Sequence, residues 1–285
     1  MEDYQEGSGS FELTAATVGS LTVSRLTRIV SGREDSIAPN VLRAMELDKR
    51  SGVTRLALRL RKRLSARIME ESRLEKLCRY ERSLWERGRN LVAGLDEAGA
   101  GPLAGPVVAA AVILPPGFTL PGVDDSKKLS ARKRELLASQ IIQHAVSFAF
   151  GEASPREIDR VNIFQASLLA MRRAVLGLDA TPEHLLIDAR RIPGIDLPQT
   201  PITGGDAVSF SIASASILAK TRRDEMMRGL DKKYPGYGFA RHKGYPTAEH
   251  RQALRRLGPT PEHRKSFTLI PGTWPSATEV PFLIK

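Results

Sequence analysis

The sequence predicts an α/β fold, a mixed sheet flanked by helices, on three observations. Short apolar runs that stop at glycine or proline alternate with helical segments after an initial pair of strands. Two of the runs, Leu91 to Asp96 and Leu185 to Asp188, end in an acid. At 285 residues and 41% hydrophobic content, the chain can bury one large domain and carry appendages.

Taken in order, residues 1–40 are rich in Gly, Ser and Thr without sustained periodicity, and are expected to be disordered. Residues 41–90 read as a basic helical N-terminal extension. Leu56, Leu60, Leu64 and Ile68 recur every four residues, with Arg59, Arg61, Lys62, Arg63 and Arg67 on the other side. That basic side suits either a solvated face or an extra grip on nucleic acid. Residues 91–270 form the main domain. It opens with a strand to Asp96-Glu97, a turn containing Gly99, Gly101 and Gly105, and a wholly apolar strand from Val107 to Leu114.

Ser130 is positioned to cap a helix through about His144, and Val146 to Gly151 alternates as a strand. Pro155 starts a short helix, Ile163 to Leu178 a longer one, and Leu185 to Ile187 a strand ending at Asp188. A brief strand near Pro201-Ile202 leads to the turn Gly204-Gly205-Asp206. Helices over Ser211–Lys232 and about Ala248–Leu257 follow, with Pro235 to Gly238 breaking the chain between them. Four prolines after Pro259 predict a loose tail over 271–285.

Composition narrows the function. One cysteine, Cys78, excludes an internal disulfide and a multi-cysteine zinc site, as expected in a reducing cytosol. The five histidines lack zinc-ligand spacing and read as surface or packing residues. With no signal-peptide pattern and no apolar run near the ~20 residues of a membrane span, a soluble cytoplasmic monomer is expected. The net charge of +11 is uneven: residues 41–90 hold 15 basic and 7 acidic side chains, and 220–265 hold 13 and 5. Such a balance beside a carboxylate site suits a polyanionic substrate.

Gly99 to Ala104 also fits the dinucleotide fingerprint, but Pro102 and Pro106 interrupt it and a strand follows instead of a helix. The acids ahead of it would repel a pyrophosphate. Strand ends on one edge of an α/β sheet meet at one crevice, so Asp96, Glu97, Asp188 and Asp206 can gather there. An all-oxygen site prefers Mg²⁺ or Mn²⁺ over zinc. Two such ions would stabilise the attacking and leaving oxygens of a phosphodiester displacement.

Six blocks carry a family resemblance: LVAGLDEAGAGPLAGPVVAAAVIL from Leu91, DDSKKLS at Asp124–Ser130, LLIDA at Leu185–Ala189, SASILAKTRRD at Ser214–Asp224, YGFARHKGYPT at Tyr237–Thr247, and HRKSF at His263–Phe267. In this order they resemble bacterial ribonuclease HII, and Arg73 to Arg89 resembles the helical extension of its longer members. The resemblance implies a ribonuclease H-like fold. It also implies a metal-dependent endonuclease that cuts the RNA strand of RNA–DNA hybrids, or single ribonucleotides in duplex DNA, leaving 3′-hydroxyl and 5′-phosphate ends.

By motif position, Asp96, Glu97, Asp188 and Asp206 correspond to the metal-binding quartet. Gly99, Ala100 and Gly101 correspond to the segment whose amides sense the ribose 2′-hydroxyl, and Tyr245 to the aromatic residue that packs on the sugar. Lys127, Lys128, Lys220 and Lys243 are candidate phosphate contacts. Two departures stand out: Ala100 replaces the arginine of Gly-Arg-Gly, and Gly204 the lysine of Lys-Gly-Asp. Retention of all four acids predicts an active but weakened or altered enzyme. Loss of both cations keeps open a non-catalytic hybrid-binding protein. A nuclease or strand-transfer enzyme of the same fold, indifferent to the 2′-hydroxyl, is the other competitor. A sliding clamp on the C-terminal tail is a conceivable partner that the sequence does not support.

Overall fold

The wholly apolar run at Val107–Ile113 forms strand β2, and both its faces are covered. In the computed structural model, which describes residues 13–32 and 36–269, Val107, Ala109, Ala111 and Ile113 pack on one side and Ala110 and Val112 on the other. The alternation is what a strand imposes. Beside β2 lie β1 (Val92–Ala98) and β3 (Ser147–Ala153), both antiparallel to it; β4 (His184–Asp188) and β5 (Gln199–Ile202) extend the sheet in parallel. The order is β3-β2-β1-β4-β5, so β1 is central.

The chain divides into two compact units, Met1–Arg73 and Leu74–Lys285. The first holds α1 (Val23–Val30), α2 (Pro39–Glu46) and most of α3 (Ser51–Leu77). Here the described residues depart from the disorder expected over 1–40. Residues 13–32 and 36–40 include a 3₁₀ turn at Val18–Ser20, α1 and the start of α2, with Val18, Leu26 and Val30 buried against Val41, Met45, Val53 and Leu60. Helices of eight residues are marginal alone and give little periodicity to read; they persist by packing on a longer neighbour. Arg50 ties the cluster, donating to Asp48 and to the carbonyls of Leu21 and Val18. Residues 1–12 and the expected loose tail from 271 lie outside the described residues.

The expected boundary at residue 90 also moves. Leu74, Leu77 and Cys78 are buried with Ala110 and Val112, so the end of α3 and α4 (Arg79–Trp85) belong to the second unit. Around its sheet, α6 (Pro155–Leu176) covers one face, and α5 (Ala131–His144) with α7 (Phe210–Lys233) the other. The expected break near residue 163 is present: Asn162 has φ 68°, and its side chain accepts from the Gln165 amide to restart the helix. Ser130 caps α5 as expected. Two shorter helices, α8 (Phe239–His242) and α9 (Ala248–Leu257), complete the unit.

Three of the five histidines are buried together here. His250 Nδ1 donates to the Tyr245 carbonyl at 3.0 Å, His263 Nε2 lies 3.0 Å from His250 Nε2, and the Thr260 amide donates to His263 Nδ1 at 2.9 Å. His242 stacks on His250 and bonds the Tyr237 carbonyl and the Gly244 amide. Each ring thus uses one N–H and one lone pair, which only neutral imidazole offers. Burial pushes His250 and His263 down to about 4.

Between that value and the ordinary ~6.5 the unfolded chain binds more protons. The stability these rings contribute is therefore complete above pH 6.5 and drains as pH falls toward 4. The slope is about 1.4 kcal/mol per pH unit for each ring. An NMR titration of the imidazoles should find both midpoints near 4; midpoints between 6 and 7 would contradict the buried network.

Candidate active site

Parallel pairing of β1 with β4 aligns Leu95 with Ile187, so the next residues, Asp96 and Asp188, lie side by side where that pairing ends, toward the C-terminal ends of both strands. Glu97 follows Asp96 while the strand is still paired, opposite Ala109 of β2. Consecutive strand residues alternate faces, so Asp96 and Glu97 flank the strand end from either side. β5 runs parallel to β4, and three residues past its end the turn Gly205–Ala207 presents Asp206 at the entrance to α7. The Gly205 amide donates to Asp188 Oδ1 at 2.7 Å and locks turn to strand.

Asp96 and Asp206 are buried, and Glu97 and Asp188 are half-buried. Burial pushes Asp96 well above the usual carboxylate range. The charges of Glu97 and Asp188 add to the rise, while Ser216 and the Glu97 amide pull against it. Burial raises Glu97 too, against the pull of Arg190 and with a further push from Asp188. Asp188 is raised by burial and by Asp206, with the Gly205 amide, Lys127 and Arg190 opposing. All four acids therefore lie within one another's electrostatic reach, directly or through a neighbour.

A hard divalent cation suits such a donor set: oxygen ligands only, and excess negative charge held away from water. Among the described residues, however, no three His, Cys, Asp or Glu side chains converge closely enough to hold a metal ion as they stand.

The substrate-side candidates separate into groups. Gly101 faces Tyr245: a Cβ there would be 3.7 Å from the tyrosine Cε1, and Tyr245 is 42% exposed. Ala100 is exposed beside them. The four lysines do not form one cluster. Lys127 Nζ is 3.4 Å from Asp206 Oδ2, and Lys128 pairs with Asp124 on its own loop. Lys220 and Lys243 line a cleft of about 420 Å³ with Arg134, Arg228 and Arg241. Within it Asp224 bonds Lys220 at 2.6 Å and Arg134 at 3.2 Å.

Several residues were missed in the sequence. Arg190, two positions after Asp188, acts on Glu97 and Asp188 and stacks on Phe164 at 4.7 Å. Its placement in the run Asp188-Ala-Arg-Arg191 was the only signal. Glu81 of α4 reaches the start of α7, where its Oε1 accepts from the Ser209 hydroxyl at 2.6 Å and the Ser211 amide at 2.9 Å. A carboxylate at that end of a helix is favoured by its dipole. Arg223 and Arg264, inside two of the matching blocks, are buried beneath the glycine turn.

Comparison with known proteins gives the family and the fold. The sequence model of the family described as Ribonuclease HII matches residues 93–270, and that of the Ribonuclease HII N-terminal domain matches 27–85. The Ribonuclease HII of Myxococcus xanthus is 52% identical over 262 residues, covering 90% of this chain and 89% of its own length. That of Desulfitobacterium hafniense strain Y51 is 55% identical over 229 residues, covering 80% and 88%.

Among solved structures, the ribonuclease H2 of Pyrococcus horikoshii superposes with a TM-score of 0.53 at 25% identity, over 62% of this chain and 94% of that one. The RNase HII of Archaeoglobus fulgidus, solved as a complex with PCNA, gives 0.54 at 25% identity over 62% and 95%.

The raised acids make a stability prediction. Their folded values lie above the ordinary ones, so the charges destabilise the fold increasingly as pH rises past about 4. In metal-free buffer at pH 7, Asp96→Asn should melt higher than the parent, by roughly 2–4 °C for each kcal/mol relieved. A lower melting temperature would show that the carboxylate is not under this strain.

Proposed function

The chain belongs to the ribonuclease HII family, and from that premise we propose that it cuts the RNA strand of RNA–DNA hybrids and single ribonucleotides embedded in duplex DNA, leaving 3′-hydroxyl and 5′-phosphate ends. The reading is supported by the meeting of Asp96 and Asp188 at adjacent strand ends, followed by the glycine turn whose Gly101 faces Tyr245. Asp96, Glu97, Asp188 and Asp206 would hold Mg²⁺ or Mn²⁺. Two such ions would supply Lewis-acid stabilisation of the attacking and leaving oxygens.

The chain's own groups do the rest. The amides of Ala100 and Gly101 donate no hydrogen bond among the described residues and are free to meet a 2′-hydroxyl. Tyr245 offers its exposed ring to the sugar. Lys220, Lys243 and the arginines of the basic cleft bind backbone phosphates, which position the duplex without reading its sequence. Lys127 and Arg190 put positive charge beside the acids, where Ala100 and Gly204 supply none. No helix among the described residues is long and apolar enough to cross a membrane. A cytoplasmic monomer that removes ribonucleotides during DNA replication and repair is the corresponding cellular role.

Binding without cleavage is the second reading, and it draws on Ala100 and Gly204. A duplex with one ribonucleotide decides between them: Mg²⁺-dependent nicking on the 5′ side of that nucleotide is expected, and binding without a nick would overturn the proposal. Ala100→Arg should speed cleavage roughly ten- to a hundred-fold, since a charge-assisted hydrogen bond is worth about 1.5–3 kcal/mol. An unchanged rate would show that Lys127 and Arg190 already fill the role.

A further inference from the structure

Among the described residues two arginines, Arg223 and Arg264, are fully enclosed, and neither forms an ion pair there. Arg264 is 0% exposed and Arg223 1%. Burying a charge without a counter-charge is costly unless its donors are all met. Here Arg264 makes four hydrogen bonds and Arg223 three, each to a main-chain carbonyl and all but one within residues 99–106. Arg264 donates to Gly99 (2.6 Å), Ala100 (2.9 Å) and twice to Gly105 (2.9 and 3.1 Å). Arg223 donates to Ala104 (3.1 Å), Pro106 (3.0 Å) and Lys243 (3.0 Å).

The last contact joins two loops. Lys243 and Gly244 lead into Tyr245, and the Gly244 carbonyl accepts from the Leu103 amide at 2.8 Å. The fit admits no side chains. A Cβ on Gly99, where φ is +98°, would lie 2.1 Å from Arg223 Nε, and one on Gly244 would lie 2.5 Å from the Ala104 carbonyl. Arginine is the side chain for this task, because its planar fork holds several acceptors in fixed relation, whereas lysine presents a point charge. With their carbonyls drawn inward to Arg264, Gly99 and Ala100 are fixed in orientation, and the Ala100 and Gly101 amides stay unpaired among the described residues.

We propose that Arg223 and Arg264 are positioning residues that hold the amides of Gly99–Gly101 and the ring of Tyr245 in one arrangement, and so set the preference for a 2′-hydroxyl at the cleavage site. This rests on the functional reading above. It predicts that loosening either arginine costs turnover on the ribonucleotide while duplex binding survives.

The test uses the full chain with Mg²⁺ and two duplexes, one with a single ribonucleotide and one with a 2′-deoxy-2′-fluoro nucleotide in its place. Arg264→Lys and Arg223→Lys should each lower kcat on the ribonucleotide at least tenfold, keep KM within threefold, and narrow the ratio of the two rates. Phe267→Leu removes the ring 5.1 Å from the Arg264 guanidinium without unburdening a buried charge. It should narrow the ratio threefold or more in a protein that still folds. A parent that treats the two duplexes alike overturns the functional reading and this inference together. A discriminating parent whose folded variants keep its ratio overturns the inference alone. If the lysine variants fail to fold, an unchanged ratio in Phe267→Leu does the same.

Discussion

Parallel pairing between β1 and β4 is the constraint on which the site depends. With Leu95 opposite Ile187, two carboxylates stand side by side where the β1–β4 pairing ends, and burial limits the water that would otherwise screen their repulsion. The surrounding contacts answer that repulsion piece by piece: the Gly205 amide on Asp188, Ser216 on Asp96, Lys127 beside Asp206, and Arg190 near Glu97. None of these neutralises the group. Excess negative charge held at a cost in stability is what the proposed cation would relieve.

The proposed recognition surface is built separately from the acids. The glycine turn and Tyr245 come from opposite ends of the second unit's sequence, yet two buried arginines and the Leu103–Gly244 hydrogen bond make them one surface. Below that surface, the neutral histidines His250 and His263 link Tyr245 to the loop that delivers Arg264. The basic cleft around Lys220 and Lys243 lies on different side chains again. In the proposed function, phosphate attraction, 2′-hydroxyl sensing and metal binding fall to distinct groups, with the cleft and the glycine turn joined where the Lys243 carbonyl accepts from Arg223.

Much of this was legible in the sequence, because its signals are local. A wholly apolar seven-residue run identifies β2 as a doubly covered strand, and an acid at the end of an apolar run marks Asp96 and Asp188. What stayed hidden is long-range or lacks periodicity. The eight-residue helices α1 and α2 are held by packing on α3, so residues 13–40 read as disorder. Arg223 and Arg264 look like surface cations in a basic region. Only the fold, which places the carbonyls of 99–106 around them, explains their burial. Glu81 crosses 128 positions to meet Ser209, a distance no local pattern reports.

Calorimetric titration with Mn²⁺ tests most directly whether the four acids act as one cation site. The parent should bind the ion measurably, and Asp96→Asn and Asp188→Asn should each abolish or greatly weaken binding while remaining folded. Equal binding by the parent and both variants would contradict the account.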